Sequence, residues 1–159
     1  MKTLAIATVF ALLLVNAFAK CMYNVLSSIL INSVVNFQAE LTPSAVVPTP
    51  SSSTSIGLAE LDFFPSSDTL SVYLLHDVPD AFVIQILGPS TETQTGPIVF
   101  TFPSTASPAS AIFTNISTDV QDQLKNNMLY IQIFSNSFPS GAIRGQIMSF
   151  TCPLLPCMY

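Results

Sequence analysis

Apolar and polar residues alternate with a period of two along most of this chain, the repeat of a strand whose two faces meet different surroundings. The clearest case is Leu129-Tyr130-Ile131-Gln132-Ile133-Phe134, where Leu129, Ile131 and Ile133 share one face. Asn136 to Gly141 then collects Asn, Ser, Pro and Gly, the residues that set turn geometry. Ala142 to Phe150 resumes the alternation with Ile143 and Ile147 in phase. Strand, turn, strand is the expectation.

The rest of the chain repeats the theme. Met22 to Val35 is apolar and rich in β-branched residues, which favours one strand or two short ones. Asn36 to Leu41 alternates and stops at Thr42-Pro43, and a Pro/Ser/Thr loop follows to Ser55. Ile56 to Phe64 alternates Leu58, Glu60 and Asp62 against Ala59, Leu61 and Phe63. Leu70 to Leu75, Phe82 to Leu87, Ile98 to Phe102 and Ala111 to Ile116 supply further strands, separated by Pro-, Gly- or Asp-bearing turns. Phe82 to Leu87 is almost continuously apolar, as for a strand buried on both sides. Thr118 to Asn127 predicts the one helix, with Thr118 as its cap, Asp119 and Asp122 near its positive end and Lys125 near the other. Seven to nine short strands with turns between them predict an all-β antiparallel sandwich or barrel.

Composition narrows the class. Of 159 residues, 50% are hydrophobic and 8% charged. A chain so apolar can bury a core and is not disordered. The net charge of -5 leaves no basic patch, which disfavours nucleic acid as a partner. Met1 to Ala19 reads as a secretory signal peptide: Lys2, an apolar run from Leu4 to Val15, then Ala17-Phe18-Ala19 at the cleavage site. The run is shorter than the ~20 apolar residues of a membrane span, and no other stretch suits one. The expected organisation is therefore signal peptide 1–19, an apolar segment 20–35, a main domain 36–150 and a Cys/Pro tail 151–159.

In an oxidising compartment Cys21, Cys152 and Cys157 are disulfide candidates. Three is odd, so one is left over. Cys152 and Cys157 could close on each other, or Cys21 could staple to one of them. The second arrangement is preferred, because closing a long loop removes the most entropy from the unfolded chain. The third thiol is then free or joins another chain.

Candidate chemistry is thin. His76 is the single histidine. With Asp77 or Asp80 it would make the base of a nucleophilic triad, but no Gly-x-Ser-x-Gly elbow occurs. Glu60 and Asp62 could be paired carboxylates, and Asp77 with Asp80 could bind calcium, though both spacings are common on solvated surfaces. Asn115-Ile116-Ser117 is an N-glycosylation sequon. No cofactor is expected.

Tyr130 to Ser135 followed by Phe138-Pro139-Ser140-Gly141-Ala142-Ile143-Arg144-Gly145-Gln146-Ile147 resembles the closing signature of the CHRD domain, the module repeated in chordin. Phe37 to Thr42, Gly57 to Leu61 with Leu70 to Leu75, and Gln85 to Pro89 with Gly96 to Val99 resemble its earlier blocks, in order. Tyr130, Phe138, Pro139, Gly141, Ile143, Arg144 and Gly145 carry the signature. The resemblance implies a β-sandwich akin to immunoglobulin-like and Cu/Zn superoxide dismutase folds, in a secreted or surface-attached protein. Its animal relatives bind growth factors of the bone morphogenetic class. Many members place a His-x-His pair and a further His where this chain has Gln85, Leu87 and Phe134, so a metal centre built on those histidines is not expected. Ala142 replaces a Glu of the pattern. The expected function is a secreted, non-enzymatic structural or protein-binding module. The alternatives are a growth-factor binder and a divergent metal-binding relative of superoxide dismutase. Partners would be another extracellular protein or a second copy joined through the leftover cysteine.

Overall fold

A computed structural model describes residues 34–150. The signal peptide, most of the apolar segment and the tail lie outside the described residues, and so do Cys21, Cys152 and Cys157. Among the described residues nine strands form two antiparallel sheets, as the alternation predicts.

The first sheet holds β1 (Val35–Leu41), β2 (Gly57–Phe64), β3 (Thr69–His76), β6 (Ala109–Phe113) and β9 (Met148–Ser149), in the order β6-β3-β2-β1-β9. The second holds β4 (Ala81–Leu87), β5 (Ile98–Thr101), β7 (Tyr130–Ser135) and β8 (Ile143–Gln146), in the order β5-β4-β7-β8. One face of each sheet supplies the core. Phe37, Ala39 and Leu41 of β1 are buried, as are Ala59, Leu61 and Phe63 of β2 and Leu70, Val72 and Leu74 of β3. Ile84 and Ile86 of β4, with Ile131 and Ile133 of β7, meet them from the other layer. Burying each of the Val, Leu, Ile and Phe side chains among these contributes about 1.5–3 kcal/mol.

The two long sides of the sandwich close differently. On one, Phe100 of β5 stacks on Phe113 of β6 with ring centroids 4.5 Å apart, and Phe102 meets Phe113 edge-on. On the other, the chain itself changes layers. β8 pairs with β7, and two residues later β9 pairs with β1. Thr42 and Arg144 exchange both backbone hydrogen bonds across this corner, at 2.9 and 3.1 Å. A Cβ on Gly145 would run into the carbonyl oxygen of Glu40, so only glycine lets β8 pass this close to β1.

Three local expectations are corrected. The helix α1 (Thr118–Lys125) is capped by Ser117, not Thr118: the Ser117 hydroxyl accepts from the Val120 N–H, while Thr118 is already the first helical residue. The sixth strand starts at Ala109 and ends at Phe113; Ile116 instead turns into the core, where its N–H donates to the Asp68 carbonyl. The run from Ala142 to Phe150 is not one strand but two in different sheets, because the close pass at Gly145 turns the chain.

Candidate functional site

Loops cover part of the outer face of the second sheet. Leu87, Tyr130 and Gln146 stand in one row across β4, β7 and β8, and Gln85, Gln132 and Arg144 in the next. In an ordinary sandwich such positions are solvated. Here Tyr130, Gln132 and Arg144 are buried although they point away from the core, because loops roof them.

Each roof contact is a hydrogen bond from a strand side chain or to one. Gln132 Nε2 donates to the Ser140 carbonyl, 2.9 Å away. Gly141 reaches the same amide with φ +126, a conformation glycine adopts freely and where a Cβ would overlap Gln132 Nε2. Gln146 Nε2 donates to the carbonyls of Ser90 and Asn127 at 3.0 and 2.7 Å. The Tyr130 hydroxyl accepts from the Gly96 N–H at 3.1 Å. Arg144 is 1% exposed; its Nη2 donates to the Thr91 carbonyl at 2.9 Å, and its guanidinium carbon lies 3.7 Å from the centre of the Tyr130 ring. Burial pushes its pKa down from the ordinary value, while Tyr130 and Glu92 oppose that shift. A guanidinium stays charged regardless.

Two polar atoms in this face have no partner. Arg144 Nη1, a donor, and Gln146 Oε1, an acceptor, are buried and make no hydrogen bond. Both residues line a cleft of about 560 Å³ beside the β1–β8 corner. Glu40 and Glu92 stand on its walls, and Val47 and Met148 supply apolar surface. Orphaned buried polar atoms are uncommon, because each costs about 1–3 kcal/mol.

The remaining candidates have structural partners. His76 Nδ1 accepts from the Val78 N–H at 3.3 Å, and burial pushes its pKa below 6.5 against weaker opposing effects of the Thr105 backbone and Asp77. Asp77 accepts from the Ile56 N–H at 2.7 Å, and Asp80 accepts from both the N–H and the hydroxyl of Ser137 at 2.8 Å. Glu60 and Asp62 lie on the outer face of the first sheet, where Asp62 accepts from Asn36 at 2.6 Å. Among the described residues no three His, Cys, Asp or Glu gather as a metal site. Gln85 and Leu87 stand on the roofed face with Tyr130 and Gln132 opposite them, and Phe134 follows on the same face of β7. Asn115 is exposed with φ 56, in the loop between β6 and α1. Of the signature residues, Tyr130 and Arg144 meet directly, Gly141 and Gly145 make the close passes, Ile143 enters the core and Phe138 packs against it. Pro139 is exposed in the turn.

Sequence alone does not single out Glu40, Glu92 or Gln146. The alternation puts Gln146 in phase with Arg144, but nothing local links residue 92 to residue 144. Comparison with known proteins bears on the whole domain. A family model described as CHRD domain matches residues 37–147. No curated protein and no solved structure matches. Among the described residues no helix is long and apolar enough to cross a membrane.

Proposed function

This chain belongs to the CHRD-domain family, and from that premise we propose that it is a secreted, non-enzymatic module of the extracellular space that holds another protein. Charge carries the proposal. All nine acidic residues fall between Glu40 and Asp122, inside the described domain. Of the two basic residues there, Arg144 is buried and only Lys125 is exposed. Such a one-signed surface steers a partner of opposite charge and discourages self-contact between like faces.

The leader Met1 to Ala19 supports export, and the exposed Asn115 of the sequon supports a glycan. The three positions where many members of the family carry histidine hold Gln85, Leu87 and Phe134, and Leu and Phe cannot ligate a metal, which speaks for binding over metal chemistry. Growth-factor binding is the narrower form of this reading, and a structural role in a matrix is its neighbour. Whether the cysteine left over among Cys21, Cys152 and Cys157 stays free or bridges to another chain decides whether a second copy joins.

The test begins with the full chain expressed in a secretory host. Mass spectrometry of the medium should find a mature start near Lys20 and a glycan on Asn115. The secreted protein, immobilised, should retain at least one protein from its native extracellular fluid that a column of equal charge does not, and release it in salt. Retention of the chain inside the cell overturns the reading. So does a column that holds nothing beyond the control, or superoxide turnover that a chelator abolishes.

A further inference from the structure

The cleft at the β1–β8 corner has a composition that specifies a guest. Arg144 and Gln146, on neighbouring outward positions of β8, line it, and each keeps one orphaned atom just beneath its surface, the donor Nη1 and the acceptor Oε1. The Gln146 amide cannot be turned round to remove the mismatch, because Nε2 already donates to two carbonyls. A guest that satisfies both atoms must carry an acceptor and a donor close together. A peptide unit does, through its C=O and N–H. The walls ask for something else. Glu40 and Glu92 are exposed carboxylates lining it, one on β1 and one on the loop after β4, and the surrounding surface is acidic. They suit cationic side chains. Val47 and Met148 offer apolar surface to the stems of such side chains.

Resting on the reading of the domain as a protein-binding module, we infer that this cleft receives an extended, basic segment of a partner protein. The main chain lies along β8 toward Arg144 and Gln146, and lysine or arginine side chains reach Glu40 and Glu92. Alternation along an extended guest delivers every second side chain to the same wall. Arg144 Nη1 and Gln146 Oε1 are out of contact with solvent, so a guest that bonds them moves the Thr91–Thr93 segment outward. That segment is exposed, and it is tied back by Ser90, whose hydroxyl donates to the carbonyls of Thr91 and Gln94. Binding therefore has a local signature.

The probe is a labelled peptide of roughly ten residues alternating lysine and serine, with a glutamate–serine peptide as its counterpart. Fluorescence anisotropy should show the basic peptide binding and the acidic one not, with affinity falling as salt rises. The double variant Glu40→Gln/Glu92→Gln changes two exposed side chains and leaves the core intact; it should lose about tenfold in affinity. Met148→Lys, which puts a cation on the apolar wall, should weaken binding as well. Amide shifts in the labelled protein should centre on residues 91–93 and 144–146. Equal binding by the double variant overturns the assignment, as do shifts confined to the outer face of the first sheet around Glu60 and Asp62. No binding at millimolar peptide also overturns it, leaving a bridging water as the partner of the two orphaned atoms. The affinity column separates this inference from the broader one. A protein retained equally by wild type and the double variant sinks the cleft and leaves the module standing.

Discussion

The Arg144 guanidinium lies over the Tyr130 ring, its carbon 3.7 Å from the ring centre, on a sheet face that points away from the core. β7 and β8 place these side chains diagonally, since Tyr130 pairs with Gln146 and Gln132 with Arg144. A cation over an aromatic face contributes about 0.5–2 kcal/mol, toward the upper end when water is excluded. The Nη2 bond to Thr91 then anchors the loop that roofs the ring. One side chain thus joins the hairpin to the loop after β4.

Arg144→Ala should therefore destabilise the domain by about 2–4 kcal/mol, since it removes packing and leaves the Thr91 carbonyl unpaired. Arg144→Met keeps much of the volume and removes the orphaned Nη1, so it should be milder. Arg144→Lys keeps charge but not the planar, forked guanidinium, and should fall between them. Urea unfolding of the three variants checks the order. Equal losses for Ala and Met would show that packing over Tyr130 is not what matters.

Gly145→Ala tests the corner. The added methyl meets the Glu40 backbone, which cannot rotate aside as a side chain would. Overpacking of this kind typically costs about 1–3 kcal/mol, and backbone against backbone belongs at the top of that range. The expected result is reduced secretion and a lowered urea midpoint. Thr42 is two residues from Glu40, and its N–H should exchange faster as the Thr42–Arg144 bridge loosens.

Ser117→Ala tests the helix start. The hydroxyl accepts from the Val120 N–H, one of four N–H groups that a helix leaves open. Its loss should cost about 1 kcal/mol. Ser117→Asp keeps the acceptor and adds a charge at the positive end of the helix, so it should restore stability. Thr118→Ala, at the neighbouring position, should change little. Either serine variant also ends the sequon, so the comparison requires unglycosylated protein.

Most of the fold is legible in the sequence because burial here follows the pleat. Ile131, Ile133, Leu61 and Phe63 alternate with polar neighbours and enter the core accordingly. The alternation fails where the chain changes layers. Ile143 and Ile147 are in phase, yet β8 and β9 belong to different sheets, and only the contact between Gly145 and Glu40 reveals the turn. The roofed face is invisible for another reason. Tyr130, Gln132 and Arg144 occupy outward positions, where a period of two predicts solvent. They are buried by loops whose partners lie eight to fifty-three residues away in sequence, as Ser140 from Gln132 and Thr91 from Arg144. Arg144 is legible in the sequence as a signature residue, but the cleft it shares with Glu40 and Glu92 is not. Those three meet only through the fold.

Acidification supplies the last test, through His76. Burial holds its pKa below the ordinary 6.5, more than the Thr105 backbone and Asp77 raise it. The unfolded chain, with an ordinary imidazole, therefore takes up a proton at a pH where the folded chain does not. Where the unfolded state binds more protons, stability rises with pH. The contribution of His76 is thus complete above 6.5 and is lost as pH falls from there through the folded value. Asp80 acts at lower pH. Its bonds from Ser137 hold the carboxyl below its ordinary 3.8, so its stabilisation is present above that value and disappears as pH falls through the depressed one. Two separate losses are expected on titration, the upper from the imidazole of His76 and the lower from the carboxyl of Asp80. His76→Asn keeps an acceptor that can take the Val78 N–H and cannot titrate, so it should abolish the upper step and leave the lower. Urea midpoints measured across the acid range check this. An upper step that survives His76→Asn would place its origin elsewhere, since His76 is the single histidine of the chain.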